Sequence, residues 1–289
     1  MTTNTTTAAL SSRSISFDEF LEMLDVPSSC ELNKPIFKKM FSEATDGKKS
    51  ILDAADKKAL KDDIEKIRWL YTLKPNTINI APYKDSEREY PEIAILHVEL
   101  TSAVSNKNPA SNKTAKRIAH FINRAIPYPL VILFTCEKDG SQNLSLLLAD
   151  KRINQADKEK WVIEDSIHSY WINLASVSAA EMSFFESLKI NNLPFINFFA
   201  FYQALIERLV AIKCAEHCGD FSLEKTGQPN EKASSTARLD RLRELEKLES
   251  QRSEISNKLK KIKQMGKQVE LNTQIKKIND EIANIKDSL

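Results

Sequence analysis

The chain has 289 residues, enough for one good-sized domain with an appendage or for two small domains. Apolar residues make up 42% and charged ones 28%, which supports a core and excludes disorder over most of the length. The net charge of +2 excludes a global field that dictates a nucleic-acid or membrane partner, so any basic footprint is local.

Four scattered cysteines, Cys30, Cys136, Cys214 and Cys218, exclude a disulfide framework and fit a reduced compartment. Five isolated glycines exclude a phosphate-cradling loop and a dinucleotide fingerprint, both of which need glycines close together. The first 14 residues are rich in Thr and Ser, lack the apolar run of a signal peptide, and read as a disordered tail. No stretch reaches the roughly 18 to 20 apolar residues of a membrane span. The reading is a cytoplasmic protein without a membrane partner.

Ser16–Leu24 reads as a helix, with Ser16 as cap, Glu19 as its capping-box partner, and Phe17, Phe20, Leu21 and Leu24 on one face. Lys34–Phe41 has helical spacing. Asp53–Tyr71 reads as a longer helix with Leu60, Ile64, Ile67 and Leu70 as its stripe. Thr77–Tyr83 and Ile93–Leu100 read as two strands of a hairpin around the charged turn Lys84–Glu89. Asn112–Ala125 is a helix broken by Pro127 and Pro129. Leu130–Cys136 is an apolar central strand, Gly140 sits in a turn, and Leu144–Ala149 and Tyr170–Leu174 follow as strands. Phe184–Leu188 and Phe195–Ala215 close the domain as helices.

Residues 219–236 are polar and read as a linker. Beyond it, Leu245, Leu248, Ile255, Leu259 and Ile262 alternate three- and four-residue steps, with Arg252 as a polar intruder. Leu271, Ile275, Ile278, Ile282 and Ile285 form a second seam out of phase with the first. Two antiparallel helices joined near Gly266 fit this break. The expected architecture is thus α/β (α+β): a small mixed sheet flanked by helices over 15–218, a linker at 219–236, and an antiparallel helical coiled-coil hairpin over 237–289. The hairpin tip carries Lys258, Lys260, Lys261, Lys263 and Lys267, a candidate nucleic-acid contact. The seams are candidate surfaces for a partner protein or for self-association.

Candidate chemical sites are few. Cys214, His217 and Cys218 lack the further ligands of a structural zinc site and fit a packed helix end. His97 has no nucleophile-elbow companion. Glu92, His97 and Glu99 lie in a helix–strand–strand–helix–strand order that resembles the core of PD-(D/E)XK nucleases. In that reading Glu92 and Glu99 hold Mg²⁺, but the triplet His97-Val98-Glu99 lacks the lysine. Arg68, Trp69, Lys74 and Asn79 form a candidate polar groove. No metal site and no cofactor is otherwise expected.

Glu65-Lys66-Ile67-Arg68-Trp69-Leu70-Tyr71-Thr72-Leu73-Lys74-Pro75-Asn76-Thr77-Ile78-Asn79-Ile80 resembles the signature of a bacterial domain of unknown function, family 4391. Arg117-Ile118, Arg124-Ala125-Ile126-Pro127-Tyr128-Pro129 and Gln268-Val269-Glu270-Leu271-Asn272 resemble the same family. The resemblance implies a bacterial origin and genes beside helicases, DNA methyltransferases or restriction-like proteins. It brings no catalytic residues. The function expected is a non-catalytic accessory or adaptor protein in a restriction or phage-defence setting. It would bind a helicase- or methyltransferase-type partner and nucleic acid, with the divergent nuclease as the alternative.

Overall fold

The apolar runs of the chain condense on one mixed sheet. The computed structural model describes residues 12–46, 49–102, 104, 113–157, 161–223 and 231–289. Its strands are β1 (Glu31–Pro35), β2 (Thr45–Asp46), β3 (Lys49–Ser50), β4 (Ile64–Leu73), β5 (Tyr83–Lys84), β6 (Glu89–Tyr90), β7 (Ile93–Leu100), β8 (Leu130–Lys138), β9 (Ser141–Ile153), β10 (Trp161–His168) and β11 (Ile172–Asn173). Its helices are α1 (Phe17–Met23), α2 (Lys38–Glu43), α3 (Ala54–Asp62), α4 (Pro75–Ile78), α5 (Lys113–Ala125), α6 (Ala179–Ser187), α7 (Phe198–Cys218), α8 (Glu231–Leu259) and α9 (Met265–Lys286). The main sheet runs β1-β4-β7-β8-β9-β10, with β11 also on β9. All its pairings are antiparallel except β7 with β8, which the helix α5 connects as a parallel crossover requires.

Strands β7 and β8 carry near-continuous apolar sequence because both faces of the sheet are covered. On one face, Ile67, Leu96, Val98, Ile132 and Phe134 pack with Leu60 of α3 and with Ile118, Phe121 and Ile122 of α5. On the other, Ile93, Ile95, Leu133, Leu146 and Leu148 meet Phe20 and Leu24 of the first helical segment and Phe201 and Leu205 of α7, around a residual apolar void of about 30 Å³. A void that size holds about one water and is lined entirely by hydrocarbon, so it is a packing defect rather than a ligand chamber.

The first helix forms as its cap signals: Ser16 N–H donates to Glu19 at 2.6 Å and Glu19 N–H donates back to the Ser16 hydroxyl at 3.1 Å. The Ser/Thr tail expected over residues 1–14 lies outside the described residues up to residue 11. Arg13 then bridges Val177 across a short antiparallel step.

The helix expected over Asp53–Tyr71 is shorter than its apolar stripe suggests. Asp53 and Asp56 cap α3, which ends at Asp62, and the rest of the stripe belongs to β4. The reason is two register shifts against β7, between Ile64 and Lys66 and between Trp69 and Tyr71. Each inserts an extra residue, so buried side chains recur every third position, at Ile64, Ile67, Leu70 and Leu73, and mimic a helical period.

Other expected elements shift as well. Lys34–Phe41 divides into the end of β1 and the short helix α2. Thr77–Tyr83 is not a strand until its last residue, Tyr83, which begins the short β5: Pro75 opens the single turn α4, which Asn79 ends in left-handed conformation (φ 57°). Strand β7 therefore pairs with β4 and β8 instead of forming a hairpin with the 77–83 segment. Strand β10, half polar along its length, carries too little apolar signal to be foreseen.

Buried polar groups fasten the layers. Lys151 donates from Nζ to the carbonyls of Ile126 and Tyr128, both at 2.7 Å, and so pins the Ile126-Pro127-Tyr128-Pro129 entry into β8. Burial pulls its pKa down to about 7. Arg208 of α7 donates to the carbonyls of Ser187, Ala204 and Asn192, each at 2.8 Å. The Tyr202 hydroxyl donates to Leu130 O at 2.7 Å and accepts from Ala149 N–H at 3.0 Å.

The chain divides into two compact units, one up to Leu209 and one from Val210 to Leu289. The division falls inside α7, and helix α8 begins at Glu231, within the stretch expected to be a linker. Residues 224–230 of that stretch lie outside the described residues. No described helix is long and apolar enough to cross a membrane.

Replacing Tyr202 by Phe keeps the ring and removes both hydrogen bonds between two strands and α7. The expected result is a loss of about 1 to 3 kcal/mol in urea unfolding with unchanged far-ultraviolet dichroism.

Candidate functional site

In the second unit, α8 and α9 pack antiparallel. Arg241 donates to the Ser288 carbonyl at 3.0 Å, Lys286 lies 3.8 Å from Glu249, and Arg252 donates to Asn279 at 3.4 Å. Leu245, Leu248 and Ile282 form the buried core of the pair, with Ile278, Ile285 and Leu289 packed on it. The C-terminal part of α7 contributes near this base, where Lys213 pairs with Glu246. Burial raises the Glu216 pKa and lowers that of His217. Cys214 is buried and Cys218 exposed. Among the described residues no group of three His, Cys, Asp or Glu could hold a metal ion.

Toward the tip the seam opens. Ile255, Leu259, Ile262, Leu271 and Ile275 are only half-buried, and Met265 and Val269 are 79% and 61% exposed. The turn occupies residues 260–264, so Gly266 lies inside the first turn of α9 rather than at the break where it was expected. Lys258, Lys260, Lys261, Lys263 and Lys267 are all exposed around it.

In the first unit, the central strand β7 is buried at every position except His97 and Glu99, which share one face. Their neighbours on β4 are Arg68 and Lys66, and on β8 Leu133 and Thr135. Here the cover of α1 stops short and leaves a groove of about 370 Å³, lined by Phe17, Asp18, Leu21, Glu31, Asn33, Arg68, Leu70, Tyr71 and His97. The second bulge of β4 makes it: both Leu70 and Tyr71 line the groove. His97 bonds through Nε2 to the Thr135 hydroxyl at 2.7 Å, and its ring lies against Phe17 with centroids 4.3 Å apart. Burial, with the Arg68 and Lys66 charges adding, pulls the His97 pKa down to about 4, so the imidazole is neutral. Arg68 is oriented by Asn33, whose Oδ1 accepts from Nη2 at 2.6 Å and from Nε at 3.1 Å. Burial, and then the nearby Glu31 charge, raise the Tyr71 pKa.

The residues singled out as a polar groove do not assemble into one. Arg68 lines the pocket, but Trp69 turns to the opposite face, packs on the core and donates to Thr72 at 2.8 Å. Lys74 pairs with Glu92 at 3.9 Å at the other end of the sheet, and Asn79 ends α4. Glu92 and Glu99 stand seven residues apart along extended chain, about 23 Å, too far to share one metal ion. The lysine missing from His97-Val98-Glu99 has a neighbour across the strand: Lys66 Nζ lies 3.7 Å from Glu99. Both side chains are largely exposed, and such a pair contributes little to stability.

A family model described as Domain of unknown function (DUF4391) matches residues 24–282. No curated protein and no solved structure matches the chain.

The neutral His97 has a measurable consequence. Its folded pKa of about 4 lies below the ordinary 6.5, so the unfolded chain binds the proton first as pH falls. Stability from this site is complete above pH 6.5 and is lost as pH drops through 4, by roughly 3 kcal/mol. Between pH 7 and pH 4, urea midpoints of the parent should therefore fall further than those of His97→Gln. Equal falls would show that His97 contributes nothing.

Proposed function

The chain belongs to the domain of unknown function family DUF4391, and we propose that it is a non-catalytic accessory protein, an adaptor that joins a helical partner through its C-terminal hairpin. The observation that carries this reading is the gradient along the seam. Along α8 it runs from Leu245 and Leu248, buried, to Ile255 and Leu259, half-open, with Ile262 half-open in the turn. On α9, Ile282 is buried, Ile285, Ile278, Ile275 and Leu271 are half-open, and Met265 and Val269 at the tip face solvent.

Complete burial of a Leu or Ile side chain is worth about 1.5 to 3 kcal/mol, and two helices alone cannot supply it. A third helical surface can, in the manner of an amphipathic helix laid into an apolar groove. The five exposed lysines at the tip favour a partner with acidic residues beside its apolar stripe, or nucleic acid held by that partner. The family resemblance points to a helicase- or methyltransferase-type protein of a bacterial restriction or phage-defence system, acting in the cytoplasm.

The test is affinity capture from the native bacterium with the full chain as bait, against a Met265→Asp/Val269→Asp double variant. These two side chains hold no core, so dichroism and thermal midpoint should stay unchanged. The expected outcome is recovery of one such partner by the parent and at least a tenfold loss with the variant. Equal recovery would refute docking through the tip. A doubled mass in sedimentation, lost in the variant, would assign the seam to a second copy of the chain instead.

A further inference from the structure

We propose that the groove between α1 and the β1–β4–β7 end of the sheet binds a small zwitterion of the amino-acid class, with Arg68 taking its carboxylate and Asp18 and Glu31 its ammonium group. Size comes first. A groove of about 370 Å³ lies at the small end of ligand-binding clefts, which run from about 300 to 1,000 Å³. That is room for an amino acid with an aliphatic or aromatic side chain.

Charge points the same way. The lining carries two carboxylates, Asp18 and Glu31, against the single guanidinium of Arg68, while His97 is neutral at pH 7. A lining with net charge of about −1 repels a phosphate dianion and accepts a ligand that is neutral overall or singly positive. Among the described residues, none of Asp18, Glu31 and Arg68 forms an ion pair. Arg68 is nevertheless held in one orientation by Asn33, which occupies Nε and Nη2 and leaves the Nη1 edge to meet a carboxylate. The remaining wall is apolar, from Phe17, Leu21 and Leu70, and gives the ligand's side chain a place to leave water. The groove thus presents a cationic point, an anionic rim and an apolar wall, the three features an amphiphilic amino acid needs.

The experiment is a thermal-shift titration of the full chain with L-phenylalanine and L-leucine, confirmed by calorimetry. Phenethylamine, which lacks the carboxylate, hydrocinnamate, which lacks the ammonium group, and adenosine monophosphate serve as comparison probes. The expected result is saturable binding of at least one amino acid and at least tenfold weaker binding of both stripped analogues. Arg68→Gln should weaken the amino acid tenfold or more, leave phenethylamine binding unchanged, and keep the unliganded midpoint of the parent. Three results would overturn the proposal: no saturable shift with either amino acid, analogues that bind as well as the amino acids, or tighter binding of adenosine monophosphate.

Discussion

Everything in the first unit follows from the need to bury β7 on both sides. Its sequence, Ile-Ala-Ile-Leu-His-Val-Glu-Leu, leaves water at only two positions. An apolar strand in mid-sheet must have a helical layer on each face, and the chain supplies α3 and α5 on one and α1 and α7 on the other. The parallel partner β8 is a consequence, since a helix that crosses the face returns the chain in the same direction. Where the strand turns polar, at His97 and Glu99, the cover ends and the groove begins. The groove is therefore the place where the burial requirement lapses, and the bulged β4 shapes its wall.

The hairpin meets the same requirement only in part. Near its base the two helices bury Leu245, Leu248 and Ile282, and Lys213 at the end of α7 pairs with Glu246 beside them. Farther out, among the described residues, each helix packs on the other, and a two-helix contact covers roughly one side of each seam residue. The energy still available in that half-open surface is the physical basis for reading the hairpin as an attachment device. The lysines at its end keep the apolar tip soluble and bias the charge of whatever meets it.

The hairpin was legible in the sequence because its signal is local: heptad steps and a phase break lie within 50 residues. So were α1, with its Ser16–Glu19 box, and β7 and β8, with their apolar runs. Strand β4 was not, because two bulges turn a period of two into a period of three at Ile64, Ile67, Leu70 and Leu73. The groove was not legible either. It draws Phe17 and Asp18, Glu31 and Asn33, Arg68 and Tyr71, and His97 from four segments separated by loops. The one local trace was the alternation Lys66-x-Arg68 and His97-x-Glu99, polar residues on one face of otherwise apolar strands. Without pairing register, nothing in the chain says that these two alternations face each other. Glu92 and Glu99 look like neighbours on paper for the converse reason: sequence proximity along a strand is distance in space.

Hydrogen exchange of the full chain, free of any partner, tests the half-finished seam most directly. Amides of β7 and β8 should exchange slowest, because both faces are covered. Within the hairpin, amides around Leu245, Leu248 and Ile282 should outlast those around Leu259, Ile262, Leu271 and Ile275 by a factor of ten or more. Equal protection along the whole hairpin would mean that two helices satisfy the seam by themselves, and the case for a docking surface would be lost.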